Sequence, residues 1–422
     1  MPSASPQKPA PRGACPSLAA PMQTADGLLA RFRPQGGALT PAQLAALADA
    51  AEAFGNGRIE VTARGNLQVR GLRDETVSPL RAAFDDAGIA AVTGIAIEIS
   101  PIAGRDPKET ADPRPLAQAL KPVCDAALAR APLSPKLAIT ILSGGQIRLD
   151  NLKSDIRLIA QAEGWVLETG GQTLGQLDEA DVPETVDALL SRLQARGPRA
   201  RGTDLEAPEL RTALPHLHPA PPAFTQPVYF SMGPLALADG EPGLRIGVPF
   251  GQDKAGSLRT LAKTLEAHGV DAVTPAPDRT LVLTGFDSAA LQALSPAVAA
   301  LGYWTRPNAE GAALTLCSGA EASKNGVIHA ADVATAFLAT APDLIDGSFH
   351  IHVSTCAKGC AYPGRPGLML TGNRLVLHGE GAENPLALLD PNAIEEAIAD
   401  LALRARANRP ANGTSLDSFR QI

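Results

Sequence analysis

Ile59-Glu-Val-Thr-Ala-Arg64-Gly-Asn66-Leu-Gln68-Val-Arg70 is the stretch on which the reading of this chain turns. Ile59 to Thr62 alternates apolar and polar residues, and Leu67 to Arg70 resumes the same period, the pattern of two half-buried strands in succession. Successive side chains of a strand point to opposite faces, so Arg64, Asn66, Gln68 and Arg70 share one. Upstream, Leu28 to Phe32 is a further strand, closed by Pro34-Gln-Gly-Gly37, and there Arg31 and Arg33 alternate with Ala30 and Phe32. Thr40 is placed to cap a helix with Pro41 at its first position. Leu44, Leu47, Ala48 and Ala51 give that helix one apolar face before Gly55-Asn56-Gly57 stops it. A second helix follows around Ser78 to Ala87. On a small sheet with a helix across one side, the opposite, polar face must look at solvent or at a ligand. Arginine holds carboxylates through paired hydrogen bonds, so this set reads as an anion-binding face; the alternative is a solvated face with no ligand.

The same order returns downstream. Gly243-Leu-Arg-Ile-Gly-Val-Pro249 echoes Gly27 to Pro34, and Leu258, Leu261, Ala262 and Leu265 repeat the helical face. Thr280-Leu-Val-Leu-Thr-Gly285 echoes Asn66 to Gly71, with Arg279 in the place of Arg64. An offset of about 215 residues throughout reads as a duplication. Between and after the repeats, Lys136 to Ile141 and His350 to Ser354 read as buried strands, each followed by a glycine-containing turn and more strand. The expected layout is a disordered tail over 1–12, a first half-domain over 13–90, an α/β domain over 91–195, a linker over 196–227, a second half-domain over 228–304, a second α/β domain over 305–408, and a frayed tail over 409–422.

A net charge of −7 argues against a nucleic-acid partner, which would lean on a basic surface. No apolar run approaches the ~20 residues of a membrane span. Five cysteines, an odd and sparse set, fit a reducing cytoplasm better than a disulfide framework. Three of them fall in two places, Leu316-Cys317-Ser-Gly-Ala320 and Thr355-Cys356-Ala-Lys-Gly-Cys360-Ala-Tyr-Pro363. Soft, anionic thiolates drawn from a tight loop and a separate segment suit an iron–sulfur cluster, and inert thiols are the plain alternative. Cys124 lies in an expected helix and reads as a small buried hydrophobe. His350 and His352 share a strand face near the cysteines; packed histidines are the ordinary reading, a separate non-haem iron the other. No G-x-G-x-x-G follows a strand and opens a helix, so a separate reductase is the expected electron donor.

Taken together these residues resemble the nitrite/sulfite reductase superfamily. Thr62-Ala-Arg64-Gly-Asn66-Leu-Gln68 is similar to its Thr-x-Arg-x-x-x-Gln strand, Pro135-Lys136 to its Pro-x-Lys motif, and Cys356-x-x-x-Cys360 to its last cysteine pair. More narrowly, Arg12-Gly-Ala-Cys15-Pro-Ser-Leu-x-x-Pro21-Met22-x-Thr24-x-Asp26-Gly27 and Ser354-x-Cys356-Ala-Lys-Gly-Cys360-Ala-x-Pro363 look like the precorrin-3B synthase branch. The resemblance implies an α+β fold in which two ferredoxin-like half-domains alternate with two α/β halves of a cluster domain.

It also implies an iron–sulfur monooxygenase of aerobic cobalamin synthesis. Such an enzyme turns precorrin-3A into precorrin-3B by hydroxylation at C20 with closure of a γ-lactone. Dioxygen is the oxidant and NADH the ultimate source of electrons. Lys136 and Arg279 join the substrate-binding set on the resemblance. The family's first cysteine pair, Cys-x5-Cys, sets the partner of Cys317 at position 323, where this chain has Ser323. A [4Fe–4S] cluster with Ser323, another group or water as fourth ligand, a three-iron cluster, and no cluster all remain open, with Cys15 as the other donor. The family's second lysine is Ala138, and Ile95-Ala96 stands where Arg-Asn precedes the Ser100-Pro101 turn. These departures argue against sulfite or nitrite reduction with sirohaem. The remaining alternative is a non-catalytic paralogue that binds a tetrapyrrole.

Overall fold

The chain alternates two kinds of sheet, and residues 16–24, 26–221, 232–306, 314–316, 328, 330–354, 367–371, 373–378 and 385–422 are described by a computed structural model. The first half-domain runs β1 (Met22–Thr24), β2 (Gly27–Phe32), α1 (Pro41–Phe54), β3 (Arg58–Val61), β4 (Leu67–Leu72) and α2 (Asp74–Asp86). Thr40 caps α1 as its sequence requires: its hydroxyl accepts from the Gln43 N–H at 3.1 Å, while the Gln43 side chain accepts from the Thr40 N–H at 3.0 Å. The inward-facing residues Ala30, Phe32, Ile59, Val61, Leu67 and Val69 are buried in one core with the helices.

The first α/β domain comprises β5 (Ala96–Glu98), α3 (Arg114–Arg130), β6 (Ala138–Leu142), β7 (Ile156–Ala160), β8 (Trp165–Thr169), β9 (Gln172–Leu177), α4 (Val182–Arg196) and α5 (Ala207–Ala213). Its sheet has the order β5-β6-β7-β8-β9, parallel across the first three strands and antiparallel beyond. The second half-domain holds β10 (Gly233–Ala236), β11 (Pro242–Gly247), β12 (Gln252–Lys254), α6 (Ala255–Ala267), β13 (Ala272–Ala276), β14 (Thr280–Thr284) and α7 (Ser288–Ala300). Last come β15 (Leu314–Leu316), α8 (Ala330–Thr340), β16 (His350–Ser354), β17 (Gly367–Thr371), β18 (Arg374–His378), β19 (Ala387–Leu388), α9 (Ile394–Ala407) and α10 (Ser415–Phe419). The order β15-β16-β17-β18-β19 repeats the parallel-then-antiparallel pattern of the first α/β sheet. The duplication therefore covers both kinds of unit.

The half-domains are tied by exchange. β12 adds itself to β3 of the first sheet, with Asp253 opposite Ile59, and Leu39 pairs reciprocally with Val273 through hydrogen bonds of 2.9 and 2.8 Å. Each unit thus lends the segment before its first helix to the other, closing an edge that would otherwise expose backbone groups. Leu44, Leu47 and Ala48 of α1 share a single core with Leu258, Leu261, Ala262 and Leu265 of α6. The equivalent loops meet as well: Arg64 bridges to Pro277, and the Ala63 carbonyl accepts from the Asp278 N–H at 3.0 Å.

Gly65 sits at this crossing with φ +73°, where a Cβ would lie 2.7 Å from the Ala276 carbonyl carbon. Backbone on both sides leaves nothing to yield. Gly65→Ala is expected to destabilise the protein by at least the ~1–3 kcal/mol of a left-handed non-glycine residue, read by denaturant unfolding.

Two segments differ from the sequence expectation. Residues 196–221 are not a free linker, because Leu205, Ala207, Leu210 and Leu214 are buried in the core of the first α/β domain. Nor is the C-terminal stretch frayed: Thr414 caps α10, and Phe419, 1% exposed, meets Phe349 with ring centroids 5.0 Å apart. Short apolar runs hidden among Pro, Arg and Gly carried too little periodicity to be read as packed structure. Among the described residues no helix is long and apolar enough to cross a membrane.

Candidate functional site

The polar face of the first half-domain is built by strand register. Arg31 of β2 lies opposite Gln68 of β4, which lies opposite Glu60 of β3, which lies opposite Gln252 of β12. Along this row the Arg31 Nε donates to Gln68 Oε1 at 2.6 Å, and the Gln68 amide donates to Glu60. The donor from Arg31 and the acceptor on Glu60 together fix which way the Gln68 amide faces. One step along β4, Arg70 is 5% exposed and grips Asp26 with both Nε and Nη2, at 2.9 and 2.7 Å. Its Nη1 lies 3.4 Å from Glu60 Oε1.

At the other end of the face a second buried carboxylate gathers two arginines. Glu98, at the end of β5, receives Arg33 at 3.3 Å on one oxygen and Arg64 at 2.8 Å on the other. Arg33 also donates to Asn66 Oδ1 at 3.2 Å and to the Arg64 carbonyl at 3.0 Å, while Arg64 donates to the Lys153 carbonyl. The Thr62 hydroxyl holds the turn, accepting from the N–H groups of Arg64 and Asn66 at 3.3 and 3.0 Å. The side chains of Arg33 and Arg64 remain 24% and 32% exposed, so this end of the face opens outward.

Sequence reasoning placed six of these residues on one face and left out the three carboxylates. Glu60 was legible, since it alternates in phase within β3, and Asp26 stands in a quoted motif. Glu98 comes from another domain and carries no local signal. Four arginines set against Asp26, Glu60 and Glu98 leave the face with little net charge. Burial pushes the Asp26 carboxyl up, but hydrogen bonds from Arg70 and Thr24 outweigh it and hold the group below the usual range.

The equivalent row of the second half-domain is composed differently. There the matching register is Arg245 opposite Val282 opposite Thr274. Arg245 is 3% exposed and tied to Thr280 Oγ1 and the Pro277 carbonyl, each at 3.0 Å. Val282 is packed with Ile102 and Ile147 from the first α/β domain. Lys136 lies just ahead of β6 and is half-buried, and its carbonyl accepts from Arg201 at 3.2 Å. Arg279, half-buried at φ +62°, sits in the loop that meets the Arg64 turn.

Cys15, Cys317, Ser323, Cys356 and Cys360 lie outside the described residues. The strands that lead to four of them are described: β15 ends at Leu316 and β16 at Ser354. These are parallel neighbours, Leu316 opposite Val353, so the chain leaves both at the same end of the sheet. In the first α/β domain the matching connection after β6 is closed by hydrogen bonds. Ser143 donates to Glu109 at 2.8 Å and the Gly104 N–H to the same carboxylate at 2.7 Å. Burial pushes that Glu109 carboxyl up. His352 is 1% exposed and shares a 3.0 Å hydrogen bond with Thr315.

Cys124 is 2% exposed within α3, and burial pushes its thiol up to about 12. The thiolate is the reactive form, so Cys124 is expected to react with a thiol reagent only after unfolding, as mass mapping of labelled peptides would show.

Residues 20–87 match the nitrite/sulfite reductase ferredoxin-like half domain. Over 414 residues, 95% of this chain and 90% of the relative, the sequence is 37% identical to a precorrin-3B synthase from Sinorhizobium sp. The chain belongs to the precorrin-3B synthase family. Kinship with the reductases is visible alongside it. A ferredoxin–nitrite reductase from Leptolyngbya laminosa is 35% identical over 92 residues, 20% of this chain and 18% of that one. The structure of the Mycobacterium tuberculosis NirA protein superposes with a TM-score of 0.68 at 20% identity, covering 94% of this chain and 84% of NirA. That likeness shows that this precorrin-3B synthase family member has the duplicated nitrite/sulfite reductase-like fold.

Proposed function

We propose that this chain converts precorrin-3A to precorrin-3B in cobalamin biosynthesis, as an iron–sulfur monooxygenase that hydroxylates C20 and lets an acetate side chain close a γ-lactone. What carries the reading is kinship with a precorrin-3B synthase along nearly the whole chain. The polar face of the first half-domain supports it. A macrocycle fringed with acetates and propionates needs several separated cationic grips, and Arg31, Arg33 and Arg64 are spread along one sheet face and its turn. Arg70 acts beneath them, fixing Asp26 and Glu60. Asn66 and Gln68 orient the arginines on either side of them, and Lys136 and Arg279 are proposed to complete the set at the rim.

For the cluster, the donor chemistry fits: Cys317, Cys356 and Cys360 are three thiolates that follow two neighbouring parallel strands from the same end. Four ligands complete a [4Fe–4S] cluster, so Ser323, Cys15 or a non-protein ligand is the proposed fourth. When bound, such a cluster passes single electrons at a potential that the protein tunes. Dioxygen and NADH, the latter through a separate reductase, are the proposed co-substrates, and a reducing cytoplasm is the proposed location.

Reduction of sulfite or nitrite with sirohaem is the second reading, favoured by the match to a nitrite reductase. Against it stands the near-neutral polar face, since a small anion is held by concentrated positive charge. Incubating the purified protein with precorrin-3A, sulfite, a reductant and air separates the two. A tetrapyrrole one oxygen atom heavier supports hydroxylation, and sulfide from sulfite with the tetrapyrrole unchanged overturns it.

A further inference from the structure

The polar face carries its own counterions, and Glu98 is the one whose position has the sharpest consequence. It belongs to β5 of the first α/β domain, whereas Arg33 and Arg64 belong to the first half-domain. Its side chain is 4% exposed, and each of its oxygens holds one guanidinium. At the buried end Glu60 accepts from the Gln68 amide on one oxygen and faces Arg70 at 3.4 Å with the other. We infer that Glu98, backed by Glu60, is a selectivity residue that keeps the arginine face from capturing small oxyanions such as sulfite and nitrite and reserves it for a ligand with several carboxylates.

The inference rests on the reading that this face receives precorrin-3A. A small anion seeking Arg33 and Arg64 must compete with a carboxylate that is already in place and has no translational freedom to lose. A tethered competitor of this kind acts at an effective concentration in the millimolar range or above. A ligand with several carboxylates escapes that competition. It can use the outward sides of Arg33 and Arg64 while making further contacts towards Arg31, so each added contact is intramolecular.

The test titrates sodium sulfite and sodium nitrite into the purified full-length protein by calorimetry, comparing native protein, Glu98→Gln and Glu98→Asp. The Gln variant keeps shape and removes the charge; the Asp variant keeps the charge. The expected result is at least tenfold tighter sulfite binding in Glu98→Gln, with Glu98→Asp close to native. Sulfite should then compete with precorrin-3A in Glu98→Gln alone, raising KM with kcat unchanged. Equal sulfite affinity in native and Gln proteins of similar melting temperature overturns the inference. So does a native protein that binds sulfite with a Kd below about 1 mM, a result needing no variant to fold. Because the titration requires no turnover, failure of precorrin-3A to react sinks the functional reading and leaves the role of Glu98 to be decided by the anion affinities.

Discussion

Arg70→Ala is expected to cost about 3–5 kcal/mol of folding stability, the range for removing one partner of a buried ion pair. Arg70 is 5% exposed, and its guanidinium satisfies Asp26 through two hydrogen bonds while facing Glu60 at 3.4 Å. Its loss leaves two carboxylates against each other in a sheet face that water reaches poorly. Methionine in place of alanine restores the volume but not the charge, so Arg70→Met should remain nearly as damaged. The pH dependence supplies a second reading. Arg70 and Thr24 hold Asp26 below its ordinary value against the opposing effect of burial. A depressed carboxylate stabilises the fold above its unfolded pKa of about 3.9, and that contribution disappears as pH falls through the lower folded value. The native protein should therefore lose stability as pH drops below about 4, and Arg70→Ala should lack that component. Urea unfolding between pH 3 and 7 measures both; a loss under about 1 kcal/mol at neutral pH would place Arg70 among ordinary surface charges.

The second large effect concerns the cysteine segments. Cys356→Ala and Cys360→Ala are each expected to abolish stable iron and sulfide incorporation and to reduce precorrin-3A turnover to background. Thiolate ligands cannot be replaced by an apolar side chain, and two cysteines separated by three residues in one loop belong to the same cluster in this reading. Cys317→Ala should have the same effect, because β15 and β16 deliver the two segments from one end of the sheet. Ser323→Ala distinguishes the fourth ligand: unchanged iron content would move that role to Cys15 or to a group outside the protein. Iron and sulfide per chain after anaerobic purification are the quantities to measure. Retention of the full cluster in Cys356→Ala would remove the loop from the metal site.

The legible part of this fold was the part written in short periods. Alternation over Ile59–Arg70 and the Leu44–Ala51 face specify the half-domain sheet and its helix, and repetition at a nearly constant offset extends both to the second copy. What stayed hidden depends on pairing across long separations. The exchange of β12 onto β3 joins residues about 194 apart, through a three-residue strand too short to show a period. The counterions divide along the same line: Glu60 alternates within its own strand, whereas Glu98 reaches Arg33 and Arg64 only because the first α/β domain docks beside the half-domain. Arginines on a face are visible in sequence. Whether they are free or already partnered is a tertiary property.

That distinction shapes the chemistry proposed for the site. Bare arginines would suit a small anion, while arginines held by buried carboxylates suit a large ligand that engages several at once. The contrast between the two half-domains sharpens this, since Gln68 and Glu60 in one are Val282 and Thr274 in the other, and the apolar copy is packed against Ile102 and Ile147. In the proposed reading one copy serves as the site, while its twin is packed against the first α/β domain.

Turnover of precorrin-3A under labelled dioxygen, with an independent electron-donating reductase and NADH, tests the central claim most directly. The account predicts a tetrapyrrole product carrying one oxygen atom derived from the gas. A product without the label, or no change in the tetrapyrrole while sulfite or nitrite is reduced, would contradict it.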